Sequence, residues 1–150
     1  MADIRIMTIE DYEGVHDLWM SIKGFSIRSL DDSFEGVKKF LERNPDTSIV
    51  AEQDGEIIGA ILCGHDGRRG TFYHVCVKKE HRMKGIGKSM VVKAMNALKK
   101  EKINKVALIA FTRNDVGNAF WKCIGWKQRT DLNYYDFSLN SENIERFVEA

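Results

Sequence analysis

Residues 82–89 run Arg82-Met83-Lys84-Gly85-Ile86-Gly87-Lys88-Ser89, and their types suit an anion. Glycines let a backbone approach an anion closely. Upstream, Thr71-Phe72-Tyr73-His74-Val75-Cys76-Val77 is an apolar, β-rich run. Downstream, Ile86, Met90, Val91, Ala94, Met95 and Leu98 recur at helical spacing. The turn therefore joins a strand to the start of an amphipathic helix. The first N–H groups of a helix have no partner within it and face outward. The helix dipole favours negative charge at that end. The chemistry this arrangement offers is the holding of a phosphate.

Three phosphate patterns compete for these residues. The pattern G-x-x-x-x-G-K-[ST] finds its end in Gly87-Lys88-Ser89, but its first glycine falls on Arg82. The dinucleotide pattern G-x-G-x-x-G begins at Gly85-Ile86-Gly87 and fails at Met90. The pattern R-x-x-G-x-G is matched without gaps by Arg82, Gly85 and Gly87.

Charge is concentrated at the same place. The chain carries a net +1, yet the segment from Lys78 to Lys105 carries +8 and the remainder −7. Lys78, Lys79, Arg82, Lys84 and Lys88 crowd the turn, where an anion gains most. The near-neutral total and the lack of interleaved basic and aromatic residues argue against a nucleic-acid partner. No apolar run approaches the roughly 20 residues of a membrane span. The N-terminus lacks the apolar stretch of a signal peptide. Cys63, Cys76 and Cys123 are odd in number and widely spaced, which reads as reduced thiols in a cytoplasmic protein. The four histidines are scattered, so no metal is expected. At 150 residues and 43% hydrophobic, the chain suits one domain, residues 1–150, with one core.

The elements that must position the turn follow from periodicity. Ile4 to Ile9 alternates and predicts a strand. Glu10-Asp11 opens a helix bearing Tyr12, Val15, Leu18, Trp19 and Ile22. A loop with a cap, Ser29 to Ser33, precedes a second helix through Val37, Phe40 and Leu41 that ends near Asn44-Pro45. Ser48 to Glu52 and Glu56 to Gly64 form a hairpin about Asp54-Gly55. Thr71 to Val77 adds a third antiparallel strand, and the long helix runs from about Gly85 to Glu101. Lys105 to Phe111 predicts a strand, and Asp115 to Ile124 a helix stopped by Gly125. Trp126 to Arg129 and Tyr134 to Leu139 predict a closing hairpin. The expected order is β-α-α-β-β-β-α-β-α-β-β, an α/β layered fold with a mixed, mostly antiparallel sheet and helices on both faces.

That order, with R-x-x-G-x-G opening the central helix, resembles the GCN5-related N-acetyltransferase (GNAT) superfamily, and the small bacterial members most. Asn114, Gly117, Phe120, Trp121, Gly125 and Trp126 follow the family's N-x-x-A-x-x-[FL]-Y-x-x-x-G-[FY] signature, with Gly117 for Ala, Trp121 for Tyr and Trp126 for Phe or Tyr. Asn133-Tyr134-Tyr135 is similar to enzymes that acetylate ribosomal-protein N-termini. The resemblance implies acetyl-CoA as co-substrate and a transfer of acetyl to an amine. It implies that the Val75–Val77 strand bulges and splays from the Val106–Ile109 strand. The pantetheine arm would lie in the gap against the backbone of Val75, Cys76 and Val77, as an added strand would. The pyrophosphate would sit on N–H groups of Met83, Lys84, Gly85, Ile86, Gly87 and Lys88, beside Arg82 and Ser89. Asn114 would contact the cofactor from the far side, with Phe120 and Trp121 flanking its thiol end.

The catalytic groups are less determined. The family's proton-donating tyrosine falls on Trp121, whose indole N–H is no practical acid. A coenzyme A thiol, at roughly the cysteine pKa of 8.5, can leave as thiolate without one. The glutamates the family often uses as base are replaced by Thr71 and Ile109. His74 is the candidate base by intrinsic pKa, with Tyr73 the alternate; strand alternation sets them on opposite faces unless a bulge intervenes. Tyr134 is a candidate to line the acceptor pocket. Cys76 reads as a small core residue with no adjacent base. The acceptor would lie near Lys23 to Ser33. Residues 1–60 hold 13 Asp/Glu against 6 Lys/Arg, so a cationic acceptor is expected, with Asp31 and Asp32 as its contacts. Open C-terminal strand edges would let two copies pair as a homodimer. An acyl-CoA-binding regulatory protein with little or no catalysis is the alternative, supported by Trp121 and the missing glutamate.

Overall fold

In the computed structural model, which describes residues 1–149, β4 (Glu56–His65) is the strand on which the rest is built. Its sequence is almost continuously apolar, and eight consecutive residues from Ile57 to Gly64 are buried. A strand that buries both faces has no need of polar alternation. It pairs antiparallel with β3 (Ile49–Gln53) across the Asp54-Gly55 turn and with β5 (Gly70–Val77) on the other side. Asp54 and Gly55 have φ of 53° and 79°, which is the turn that matches strand twist. β1 (Asp3–Ile6) joins β3 antiparallel, and β6 (Val106–Leu108) joins β5 parallel. The sheet order is β1-β3-β4-β5-β6.

One face of this sheet is covered by α1 (Tyr12–Met20) and α2 (Phe34–Arg43). Val15, Leu18, Trp19, Val37 and Leu41 form one cluster there with Val50, Ile57, Ala60, Leu62 and Cys76. The Asp11 carboxylate helps fix the entry to α1: it accepts the Thr8 N–H at 2.9 Å and both terminal nitrogens of Arg5 at 2.8 and 2.9 Å. α3 (Ile86–Lys100) buries Ile86, Met90, Val91, Ala94 and Leu98. It crosses β4 at Gly59, where a Cβ would come within 2.8 Å of the Met90 methyl.

A second, small sheet was not expected. β2 (Ser26–Arg28) pairs antiparallel with β7 (Glu145–Phe147). The segment after α1, expected as loop, is thereby tied to the end of the chain. Asn143 reinforces the tie: its Oδ1 accepts the N–H groups of Leu30 and Asp31, and its Nδ2 donates to Asp31.

The chain divides into two compact units. The first comprises residues 1–108 and the segment from Glu142 onward, and holds both sheets with α1, α2 and α3. The second, Ile109–Ser141, is built on α4 (Asp115–Cys123). The α/β fold with a mixed, mostly antiparallel sheet is as expected. The hairpin expected at 126–129 and 134–139 is not: among the described residues no strand occurs between Leu108 and Glu145. β propensity depends on packing against neighbouring strands, so aromatic, β-favouring residues alone do not make a strand. The strand expected over Lys105 to Phe111 is likewise cut to Val106–Leu108.

Candidate active site

The site starts from a misfit in β5. Its pairing with β6 runs only from Gly70↔Val106 to Phe72↔Leu108, while β5 itself continues to Val77. The pairing stops there because β6 ends at Leu108. The pairing with β4 also breaks: Leu62 faces Tyr73 and Ala60 faces Cys76, so β5 carries one extra residue. His74 takes it up with φ of 50°, a left-handed conformation unusual for histidine. The bulge overrides strand alternation. Tyr73 packs edge-on to Phe40 of α2, with ring centroids 5.9 Å apart, and His74 packs on Trp19 of α1 at 4.8 Å. Both therefore turn toward the α1/α2 face, rather than to opposite faces.

Past the bulge, β5 keeps its ladder with β4. Cys76 faces Ala60 in the ladder, and the Lys78 N–H donates to the Ile58 carbonyl at 2.7 Å. By alternation the Val77 backbone groups point away from β4. Among the described residues no strand pairs with Val75–Val77 on that side. The Val77 carbonyl instead accepts Arg82 Nε at 2.9 Å. Burial pushes the Cys76 thiol up to about 12, so it stays protonated near neutral pH.

The chain then passes through a short 3-10 turn, Lys79–His81, into the glycine loop. Met83 and Gly85 adopt positive φ of 64° and 82°, and Gly85 is the residue from which α3 springs. Loops that alternate handedness in this way form concave nests of N–H groups that bind anions. Met83 is fully exposed, so its place in the loop owes nothing to packing. Of the five cations expected to crowd the turn, Lys78 is otherwise engaged. Its ammonium lies 2.6 Å from Glu56, and the contact holds the Glu56 carboxyl below and the Lys78 ammonium above their ordinary values.

On the α1/α2 face the two neighbouring aspartates part company. Asp31 bonds to Asn143 near the surface. Asp32 is only 4% exposed and places Oδ1 2.8 Å from His74 Nε2. Asp32 is thus no surface contact for a cationic acceptor, contrary to expectation, because its carboxylate is buried and already bonded. Tyr12, absent from the sequence-based candidates, donates its hydroxyl to the Asp32 main-chain carbonyl at 2.7 Å. Burial, and then the Asp32 charge, push that hydroxyl above its ordinary value.

The second unit holds the remaining candidates. Asn114 caps α4, its Oδ1 accepting the Gly117 N–H at 3.0 Å. Trp121 packs between Phe120 and Trp126, at 5.0 and 4.7 Å between ring centroids. Tyr134 lies in the stretch without regular secondary structure. The structure thus groups His74, Tyr73, Val75–Val77 and Arg82–Ser89 in one unit, and Asn114, Phe120, Trp121 and Tyr134 in the other.

The sequence profile of the acetyltransferase (GNAT) family matches residues 12–126. The chain belongs to the GNAT family. This GNAT protein is 31% identical to an acetyltransferase of Pectobacterium atrosepticum over 75% of its own length and 79% of the relative's. Among solved structures, its fold is similar to that of the PaiA N-acetyltransferase from Thermoplasma acidophilum in complex with coenzyme A, with a TM-score of 0.73 and 19% identity over 98% and 99% of the two chains. The ribosomal-protein-alanine N-acetyltransferase of Brucella melitensis is a further neighbour, with a TM-score of 0.66 and 18% identity over 93% and 100%. At these identities the structural likeness bears on the fold of the GNAT domain alone. Among the described residues no cluster of His, Cys, Asp or Glu is arranged to hold a metal, and no helix is long and apolar enough to cross a membrane.

Proposed function

We propose that this protein is an acetyl-CoA-dependent N-acetyltransferase that moves acetyl to a primary amine, of a small molecule or of a peptide or protein N-terminus. The observation that carries this reading is that among the described residues no strand pairs with Val75–Val77 on the side away from β4, and that the Arg82–Ser89 loop follows them into α3. A strand unpaired on one side would offer backbone groups at Val75 and Val77 to the amides of a pantetheine arm. Cys76, whose own backbone faces β4, would contribute shape. Arg82, Met83, Lys84, Gly85, Ile86, Gly87, Lys88 and Ser89 would hold the pyrophosphate on backbone N–H groups and positive charge. Asn114, Phe120 and Trp121 would complete the cofactor site, Asn114 through its NH₂ group. The match of the family profile from residue 12 to 126 supports the two units acting as a single domain over 1–150.

Catalysis would proceed by direct attack of the amine on the thioester in a ternary complex. The high value of the buried Cys76 thiol argues against an acetyl-cysteine intermediate. A backbone N–H near Cys76-Val77 would stabilise the oxyanion. His74 would take the amine proton, with Tyr73 beside it and Tyr134 against the acceptor. The raised value of the Tyr12 hydroxyl removes it as a base near neutral pH. Trp121, buttressed by two aromatic rings, offers no hydroxyl to the departing thiolate. That absence, with Thr71 and Ile109 where the family often has a glutamate, favours the second reading, an acyl-CoA-binding regulator with little catalysis. Initial-rate kinetics separate them: intersecting double-reciprocal lines for acetyl-CoA and amine support direct transfer, parallel lines point to a covalent intermediate, and coenzyme A binding without turnover favours the regulator.

A further inference from the structure

His74 is held from several sides. Its Nε2 is 2.8 Å from Asp32 Oδ1, and its ring lies 4.8 Å from that of Trp19 and 5.1 Å from that of Phe25. The side chain is 20% exposed and that of Asp32 only 4%. Asp32 cannot swing away, because its second oxygen accepts the Arg28 N–H at 2.7 Å and its carbonyl accepts the Tyr12 hydroxyl. An ionised carboxylate only accepts hydrogen bonds, so the nitrogen facing it carries the proton. The neutral ring is then the Nε2–H tautomer, with its lone pair on Nδ1. Among the described residues Nδ1 has no hydrogen-bond partner.

We propose that Asp32 is a positioning residue: it fixes His74 as the Nε2–H imidazole and leaves Nδ1 to take the proton of the acceptor amine. The proposal rests on the N-acetyltransferase reading and gives it a specific proton path. A neutral amine attacks the thioester carbon, the new C–N bond forms, and the carbonyl pair moves to oxygen. The ammonium so created gives its proton to His74 Nδ1. The oxygen pair returns, the C–S bond breaks with its electrons on sulfur, and the thiolate takes a proton from solvent. His74 returns its own proton to solvent. The imidazolium formed meanwhile has a carboxylate 2.8 Å from Nε2. The other charged or titratable groups around it are Tyr12 and His16 on α1 and Arg28 on β2, whose guanidinium is turned to Glu145. On the sheet side, Leu62 and the thiol of Cys76, which burial keeps protonated, belong to the same cluster as Trp19.

Two measurements test this. The first is the tautomer of His74 in the wild-type protein, read from ring ¹⁵N shifts and assigned by His74→Gln. The Nε2–H form is expected, and the Nδ1–H form overturns the proposal even in an active enzyme. The second is the pH profile of kcat/KM for wild type, Asp32→Asn and His74→Gln, with coenzyme A affinity as the control. Asp32→Asn is expected to lower kcat by about 10²–10⁴-fold with coenzyme A affinity retained, and to displace the acid limb. His74→Gln should abolish that limb. A loss of kcat in Asp32→Asn with an unmoved acid limb would mark Asp32 as structural only and overturn the proposal. A limb that survives in His74→Gln overturns it as well. If Asp32→Asn does not fold, the wild-type tautomer and His74→Gln still decide. A wild type that acetylates no amine overturns the N-acetyltransferase reading, and the proposed proton path with it, whatever tautomer is seen.

Discussion

Replacing Gly85 separates anion binding from folding. Gly85 sits at φ of 82° immediately before α3, and a Cβ built there meets no protein atom within 4 Å. Substitution therefore costs the fold only the left-handed backbone, about 1–2 kcal/mol. For a chain of this size that lowers Tm by roughly 2–8 °C. The open space beyond that Cβ is where the proposed pyrophosphate would approach. Each charge-assisted hydrogen bond lost there is worth about 1.5–3 kcal/mol. If Gly85→Ile displaces the anion from two N–H groups, the loss is about 3–6 kcal/mol, or roughly two to four orders of magnitude in Kd. Gly85→Ala adds one methyl and should fall between. Calorimetry with coenzyme A and with pantetheine, which lacks the pyrophosphate, reads the difference. Coenzyme A should weaken by the larger factor, and pantetheine should bind the variants and wild type alike. A folded Gly85→Ile protein that binds coenzyme A within about threefold of wild type would refute the reasoning. So would an equal loss of pantetheine.

Gly36→Ala should destabilise by about 1–3 kcal/mol, although alanine is the better helix former, because its Cβ would lie 2.2 Å from the Leu30 carbonyl oxygen and 2.4 Å from that of Asp31. The shift of the loop carrying Asp32 should lower acetyl transfer while coenzyme A affinity holds, as thermal unfolding, rate and calorimetry will report. Burial raises the Asp11 carboxyl, but the Arg5 and Thr8 hydrogen bonds outweigh it and hold the group below the ordinary carboxylate range. Its stabilisation is present above that range and lost as pH falls through the depressed value. Asp11→Asn should thus cost about 1–2 kcal/mol near pH 7 and lose its disadvantage in strong acid, measured by urea unfolding at both. Trp121→Phe, which cannot donate a proton, should keep kcat within about fivefold of wild type; a fall of 10² or more would make the indole N–H a participant.

What the sequence made legible was local. The Asp54-Gly55 hairpin needs only two residues that tolerate positive φ. The helix after Gly85 follows from the spacing of Ile86, Met90, Val91, Ala94 and Leu98. The glycine loop is contiguous, so its pattern and its place in the fold were one observation. What was hidden depends on partners distant in the chain. Ser26-Ile27-Arg28 has no strand pattern of its own and becomes one against Glu145–Phe147. Tyr134 to Leu139 has the pattern, yet among the described residues no strand forms there. Asp31 and Asp32 are identical neighbours in sequence, and only the packing of α1 and β5 buries one of them on His74. The family resemblance implied a bulge over Val75–Val77, whereas the extra residue is taken up at His74, and periodicity alone gave the wrong face for its side chain relative to Tyr73.

The proposal to test is that this protein transfers acetyl from acetyl-CoA to an amine, with β5 and the loop that follows it holding the co-substrate. Thiol release from acetyl-CoA, with mass spectrometry of the product, tests it most directly against small amines, polyamines, amino acids and short peptides, with Gly85→Ile as control. An amine gaining one acetyl group in step with thiol release, in wild type and not in the control, is the predicted result. Tight coenzyme A binding without acetylation of any amine, or turnover undiminished in the control, would contradict it.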